Sequence, residues 1–396
     1  MKVVVVHNRY RSIAPSGENR VVDREREALT GLGHEVISFE RSSDEIETWP
    51  RAKKAALPGR LVWSHETYRD LTALLRARRP DVVHVHNTFP LLSPAVLYAC
   101  RAASVPVVAT IHNKRLVCAS GDFFRNGTTC HDCAGGSSAQ ALVHGCYRGS
   151  RAATAPVVLG TIAHRRTWRS LVSAYLFVSA SLRDQLAVLD LPPERVFVRH
   201  HLIPSRSLPQ VTHEPSVFYA GRLDEAKGLR VLMTAWDRYL QATPAPGLRL
   251  VIAGSGPLEQ ELAGWASART SVQLVGQVDG ERCTELMSRA SAVVLPSIVE
   301  ETFGLVAVEA MAAGVAPIAA GHGAFSELIT SGVDGVLCRP GDPVSLADAI
   351  AAADADPARY ATFGKQARCT YEERFDPGRN LEELLAIYNF AITHPV

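Results

Sequence analysis

The chain lacks any uninterrupted apolar run approaching the roughly 18 residues of a membrane-spanning helix, so no such span is expected. Its opening, MKVVVVHNRY, is too short an apolar run for a secretion signal and leads straight into a structured pattern. A cytoplasmic protein is the expectation. Neither sign of charge dominates: 42 Lys and Arg stand against 40 Asp and Glu, a net charge of +2. That balance argues for neither nucleic acid nor an acidic polymer as partner. The G-x-G-x-x-G fingerprint is missing from the first strand–loop–helix unit, which disfavours an ordinary dinucleotide site. Lysine is scarce, and nothing marks one as a pyridoxal-phosphate carrier.

What is present suits a large folded core. At 396 residues and 47% apolar, the chain has the length of two domains. Lys2–Val6 reads as a buried parallel strand, followed by a loop, a helix from near Gly17 to about Leu32, and the strand HEVISFE. Residues 42–66 look irregular and polar, with Pro50 and Pro58, and suit a flexible flap. A helix to about Arg79, the strand DVVHVH, a helix near 94–103 and the strand VPVVATIHN come next. His84, His86 and His112 thus sit at strand C-termini, where open α/β sheets place ligands. For His84 a satisfied structural hydrogen bond is the simpler reading. Strands AYLFVS and RVFVRH close this half, and three prolines between 202 and 215 mark a linker. Strands and helices alternate again from SVFYAGRL onward, which predicts a second parallel sheet with helices on both faces.

Two stretches of the second half carry chemistry. In GRLDEAKG, Arg222 and Lys227 stand just beyond a strand end, five apart around a loop, and could converge on one pyrophosphate. In VVLPSIVEETFGLVAVEAMAAG, Glu301 and Glu309 bracket a strand–loop–helix joint whose helix opens near Gly304 and Leu305. Eight helical residues rise about 12 Å at ~1.5 Å each, roughly a hexose joined through a diphosphate to a ribose. The helix N-terminus between the two carboxylates offers free N–H groups to an anion. A structural salt bridge would explain the two Glu equally well. Gly254 lies in the tight turn AGSGP, and Gly276 suits a close approach by a base.

Cys118, Cys130, Cys133 and Cys146 follow the TIHN strand end with the spacing C-x11-C-x2-C-x12-C, in a glycine-rich excursion over 114–150. Four thiolates at such spacing suit a structural zinc, with His131 or His144 as substitutes; free thiols, a disulfide or another metal are the alternatives. The remaining cysteines, 100, 283, 338 and 369, are expected to pack as small apolar side chains. Arg148, Arg151, Arg165, Arg166 and Arg169 surround APVVLGTIAH. This basic segment is either a solvated helix face or a peripheral contact with the inner face of a membrane. Asp354 and Asp356 form a D-x-D pair in a helix end far from these motifs, and coincidence explains it.

The stretch PSIVEETFGLVAVEAMAAG resembles the E-x7-E signature of family 4 retaining glycosyltransferases, and G-R-L-x-x-x-K-G and the strand-end T-I-H-N match the same family. The resemblance implies an α/β fold of the GT-B kind, two Rossmann-like domains facing each other across a cleft. Its expected division is an acceptor-side domain at 1–202, a linker at 203–215, a donor-binding domain at 216–378 and a final helix at 379–396 crossing back. It implies a nucleotide-sugar donor (UDP-, GDP- or ADP-linked), with Arg222 and Lys227 on the diphosphate, Glu301 and His112 on the hexose, and Glu309 on the ribose. Gly17, Gly254, Gly276, Phe303, Gly304 and Leu305 would complete the donor site, although Ser16 replaces the first glycine of the usual pair. The implied reaction is front-face transfer with retention, without a divalent ion, to a glycan, lipid-linked or small-molecule hydroxyl, as in polysaccharide biosynthesis. A nucleotide-sugar epimerase of similar architecture and a non-catalytic sugar-nucleotide-binding regulator are the rival readings.

Overall fold

A computed structural model describes residues 1–12, 16–204 and 213–396. It divides into two compact units, one of residues 1–123, 130–202 and 378–396 and the other of 124–129 and 203–377. Most of the proline-bearing linker, 205–212, lies outside the described residues.

The first unit is built on β1 (Lys2–Arg9), α1 (Gly17–Gly31) and β2 (Glu35–Ser42). Val3, Val4, Val5 and Val6 are wholly buried, because a parallel strand covered on both faces needs apolar side chains on both. Residues 45–62 are not the irregular flap that their polarity suggests. They form three short helices, α2 (Glu45–Thr48), α3 (Arg51–Ala55) and α4 (Leu57–Val62). Ile46, Trp49 and Leu91 make a small apolar cluster beneath them, with Leu57 against it. Helices this short fall below the length at which periodicity shows, and tertiary burial is what holds them.

The unit continues through α5 (His65–Arg78), β3 (Val82–Val85), α6 (Ala95–Ala102) and β4 (Val107–Ile111). The cysteine-rich excursion holds α7 (Ala139–His144) and, at the residues 124–129 that belong to the second unit, a small hairpin of β5 (Phe124–Arg125) with β6 (Thr128–Thr129). Then come α8 (Arg151–Ser170), β7 (Ala174–Phe177), α9 (Ala180–Gln185) and β8 (Val196–Val198). The six parallel strands run β2-β1-β3-β4-β7-β8, so the order reverses between β1 and β3.

The second unit also alternates strands and helices, beginning with β9 (Glu214–Ala220), α10 (Leu229–Ala242), β10 (Arg249–Ala253), α11 (Glu259–Ser267), β11 (Val272–Gly276) and α12 (Gly280–Arg289). It closes with β12 (Ala290–Leu295), α13 (Leu305–Ala312), β13 (Ala316–Ala320), α14 (Phe325–Leu328), β14 (Val336–Cys338), α15 (Pro343–Ala355) and α16 (Pro357–Arg374). Its parallel order is β11-β10-β9-β12-β13-β14, with the reversal between β9 and β12. This is the usual Rossmann order, and the crevice for a ligand lies outside the strand ends at that reversal.

The last helix, α17 (Pro377–Thr393), belongs to the first unit. Leu384, Tyr388 and Ala391 are buried in one cluster with Val3, Val5, Val82 and Leu176. Asn380 Nδ2 donates to the His200 carbonyl at 2.7 Å and fastens its start.

Candidate active site

In the second unit, the strand order reverses between β9 and β12, and the groups singled out in the sequence stand at the ends of those strands. Lys227 Nζ donates to Glu301 Oε1 at 2.6 Å, joining the loop after β9 to the loop after β12. Ser297 Oγ donates to the same oxygen at 2.6 Å. Asp224 shapes the first loop: its carboxylate accepts from the Lys227 backbone N–H at 2.9 Å and pairs with Arg222. Arg222 keeps more than half of its side chain exposed, at 57%.

Glycines let these backbones approach. At Gly254 a Cβ would lie 1.9 Å from the Gly221 carbonyl oxygen, and Gly254 N donates to the Gly276 carbonyl at 2.8 Å. Gly276 itself has φ +68 and would meet no neighbouring atom, so its left-handed backbone requires glycine there and crowding by the protein does not. Gly304 takes φ +84 against the Phe325 ring and opens α13. Phe303 is buried and Leu305 begins the helix. Because α13 starts at Leu305, Glu301 lies in the loop and only Leu305–Glu309 is helical. The interval between the two carboxylates is therefore not eight helical residues.

In the first unit, Gly17 is the first residue of α1. The next residue, Glu18, accepts from Asn113 Nδ2 at 3.4 Å and from Tyr10 Oη at 3.2 Å, which brings this helix start beside the end of β4. Burial pushes the Glu18 carboxyl up to about 7. His112, one residue before Asn113, is buried, and its Nε2 is 3.0 Å from His86 Nδ1. His84 is a satisfied structural group, bonded to Tyr388 Oη at 2.8 Å and Thr110 Oγ1 at 2.7 Å.

The sequence and the whole-chain structure both have relatives. Residues 15–206 match the family model described as Glycosyltransferase Family 4, and residues 205–370 match Glycosyl transferases group 1. The glycogen synthase of Mycobacterium tuberculosis is 28% identical across 95% of this chain and 91% of its own length. The phosphatidyl-myo-inositol mannosyltransferase of Mycobacterium leprae is 27% identical across 79% of this chain and 74% of its own. Anabaena HepE in complex with UDP superposes with a TM-score of 0.68 and 18% identity, over 98% of this chain and all of its own. Sucrose-phosphate synthase from Thermosynechococcus elongatus gives a TM-score of 0.70 at 18% identity, over 98% of both chains. The chain belongs to glycosyltransferase family 4. Its fold class is GT-B, with two Rossmann-like α/β domains.

Within this glycosyltransferase, the nine sequence-derived donor positions of the second half all fall in the second unit, and Gly17 and His112 fall in the first. Among the described residues the four excursion cysteines form no disulfide; Cys118 and Cys133 are buried, Cys130 and Cys146 half-buried. The Cys133 thiol is pushed up to about 11, first by burial and then by the Cys118, Cys146 and Cys130 thiols nearby. His144 pairs with Asp132 at 3.1 Å. Among the described residues, the group whose ligand atoms lie within 4.8 Å of one another is instead Glu25, His84 and His86. Cys369 departs from expectation, being exposed. Asp354 and Asp356 serve structure: Asp354 accepts from Tyr239 Oη at 2.6 Å, and Asp356 caps α16 through Arg359 N at 3.0 Å.

The glycosyltransferase also carries groups that the sequence did not single out. Glu25, Arg199 and His201 are buried beside His86 and His112. Arg199 Nη1 donates to Glu25 Oε2 at 2.7 Å, and Arg199 Nη2 donates to Asn380 Oδ1 at 2.7 Å. The available signal is the pair His200–His201 just beyond a strand end.

Proposed function

We propose that this glycosyltransferase moves a hexose from a nucleoside-diphosphate sugar to an acceptor hydroxyl with retention of anomeric configuration. The observation that carries the reading is the Lys227–Glu301 contact at 2.6 Å across the strand-order reversal, with Arg222 exposed beside it. A diphosphate arriving there would compete for the Lys227 ammonium and release a Glu301 oxygen for hexose hydroxyls. Arg222, Lys227 and the N-terminus of α13 would then stabilise charge on the leaving diphosphate, the term usually largest in such catalysis. Glu309 would accept from the ribose hydroxyls, and His112 would hold the hexose. Gly254 and Gly276 would keep side chains out of the donor's way. No step in this scheme needs a divalent ion. Solved relatives bound to UDP and UDP-glucose support a nucleotide-sugar donor.

The acceptor is assigned to the first unit, where Leu61, Phe89, Leu116, Trp168 and Leu189 line an open cleft. One helix beside it, α8, turns Leu159 and Ile162 outward, 58% and 62% exposed, with Arg166 and Arg169 following. Residues 133–183 contain no acidic side chain. That combination suits a peripheral contact with an anionic membrane surface and a lipid-linked acceptor. No described helix is long and apolar enough to cross a membrane.

A structural zinc at Cys118, Cys130, Cys133 and Cys146 belongs to the same reading. The neighbouring thiols add to the elevation of the Cys133 pKa, and a cation would relieve that repulsion while ordering a glycine-rich segment. Four thiolates leave no open position, so such a metal would shape the first unit and take no part in transfer.

The test is nucleotide release from UDP-, GDP- and ADP-sugars with and without candidate acceptors, with the product anomer read by NMR. Acceptor-dependent release with retention is expected. Inversion overturns the mechanism, acceptor-independent conversion of the sugar favours an epimerase, and binding without turnover favours a regulator. Purified protein should hold about one zinc per chain, lost in Cys130→Ser with donor binding intact. A metal-free, fully active preparation overturns the zinc assignment.

A further inference from the structure

Four buried imidazoles are packed ring against ring at the strand ends of the first unit. Centroids lie 4.0 Å apart for His84 and His86, 5.2 Å for His86 and His112, and 5.1 Å for His112 and His201. Charging such neighbours in a dry interior is costly, and His86, His112 and His201 are therefore neutral. Burial first, with neighbouring charges adding, holds His86 down at about 4 and His201 at about 3, with His112 well below the ordinary range. A neutral imidazole carries its proton on one nitrogen and a lone pair on the other. Which nitrogen is which follows from the partners.

The chain of constraints starts at Glu25. Burial alone would raise its carboxyl, but Arg199 and His84 outweigh burial and hold it well below the usual range. An ionised carboxylate can only accept. Glu25 Oε1 faces two imidazoles, His84 Nδ1 at 2.9 Å and His86 Nε2 at 3.5 Å. His86 Nε2 has no hydrogen-bond partner, and a lone pair turned toward a carboxylate would repel it, so the His86 proton belongs on Nε2. His86 Nδ1 is then bare. His112 Nε2 is 3.0 Å from that nitrogen, and two lone pairs facing each other would repel, so His112 is protonated on Nε2. His112 Nδ1 keeps the lone pair and has no hydrogen-bond partner.

We infer that Glu25 is a positioning residue that acts through His86 to fix the tautomer of His112, so that His112 Nδ1 accepts a hydrogen bond from a donor-hexose hydroxyl. The role of the hydroxyl rests on the proposed function, in which His112 meets the hexose. The tautomer itself does not. Arg199 holds Glu25 ionised at the far end of the relay, 2.7 Å from its other oxygen. Glu25, His84 and His86 are also close enough to share a cation. The Arg199 charge at Glu25, and the bonds of His84 to Tyr388 and Thr110, already engage two of the three.

The test is long-range ¹H–¹⁵N correlation on the full chain with ¹⁵N-labelled histidine. His112 should show a pyrrole-type Nε2 and a pyridine-type Nδ1. A pyrrole-type Nδ1 overturns the relay, and so does a metal shift on His86 Nε2. His86→Phe keeps a ring in the stack and removes the relay, so His112 should become a mixture of tautomers. Turnover of whichever of UDP-glucose, GDP-mannose and ADP-glucose serves as donor should then fall about 10-fold, as one lost hydrogen bond allows. Its KM should change little. An unchanged tautomer or unchanged turnover in a folded His86→Phe overturns the inference. If His112→Ala alone leaves turnover intact, the hexose contact fails while the tautomer result stands. Should His86→Phe not fold, the wild-type spectrum decides the matter by itself.

Discussion

The two units each wrap helices around a six-stranded parallel sheet and use their charges in opposite ways. In the second, Arg222, Lys227 and Glu301 keep 57%, 32% and 14% of their side chains open to solvent. In the first, Arg199 and Glu25 keep 3% and 4%. A charge that must meet a ligand has to stay partly wet, because the ligand replaces its water and its temporary partner. A charge that must orient a neighbour has to be dry, because dryness leaves it a single choice of partner. Ion pairs alike on a distance scale therefore differ in what they do, and burial tells them apart.

The contrast is broken most severely at Arg199. Arg199→Ala leaves the Glu25 carboxylate buried without its cation and is expected to cost about 3–5 kcal/mol in denaturant unfolding. A loss below ~1 kcal/mol would mean that the buried network does not hold the first unit together. Arg222→Ala should do the reverse, lowering turnover on the order of 10²-fold while leaving the unfolding midpoint unchanged. Activity near wild type would place the diphosphate elsewhere.

Acidification separates the units next. His7 and His86 titrate at about 4 and His201 at about 3 because burial disfavours their charged forms, whereas the unfolded chain takes up those protons near 6.5. Between pH 6.5 and 4 the unfolded state binds more protons, so stability falls as pH falls. Glu18 runs the other way: with its pKa raised to about 7, its contribution is present at low pH and lost as pH rises through 7. Three histidines outweigh one carboxyl, and among the described residues the second unit buries no histidine. Hydrogen exchange at pH 7 and pH 4.5 should show the first unit opening selectively; uniform loss across both units would refute this. The smallest effect belongs to Arg230, half-exposed and paired with Glu225 and Glu261. Arg230→Ala should leave the unfolding midpoint close to that of the wild type, and a clear drop would blur the contrast between wet and dry pairs.

What the sequence reveals follows the same division. GRLDEAKG and EETFGLVAVE are contiguous, and each places its charges on a loop beyond a strand end; in the sequence only the family resemblance brings them to one site, and the Lys227–Glu301 contact across 74 residues comes from the fold. The relay of the first unit has no such local form. Glu25 meets Arg199 across 174 residues, and His84 meets Tyr388 across 304, and no periodicity pairs positions that far apart. The start of α13 is legible in the sequence near Gly304 and Leu305, whereas the eight-residue helical span between Glu301 and Glu309 is not, because Gly304, at φ +84, keeps Glu301 in the loop. The three short helices of 45–62 escaped notice because their cohesion is tertiary.

The docking of α17 gives the relay a timetable. Arg199 and Asn380 are 181 residues apart, so on a ribosome adding about 5–20 residues per second the first unit waits roughly 10–35 s for its last helix. Throughout that interval the second unit is being made, and it can fold ahead of a neighbour that began first. The first unit meanwhile has its sheet without the helix that buries Val3 and Val5 and without the amide that steadies Arg199. Order of synthesis and order of completion are therefore reversed in this chain. A nascent chain stalled before Gly378 should show a protease-resistant second unit beside a first unit that is still cleavable.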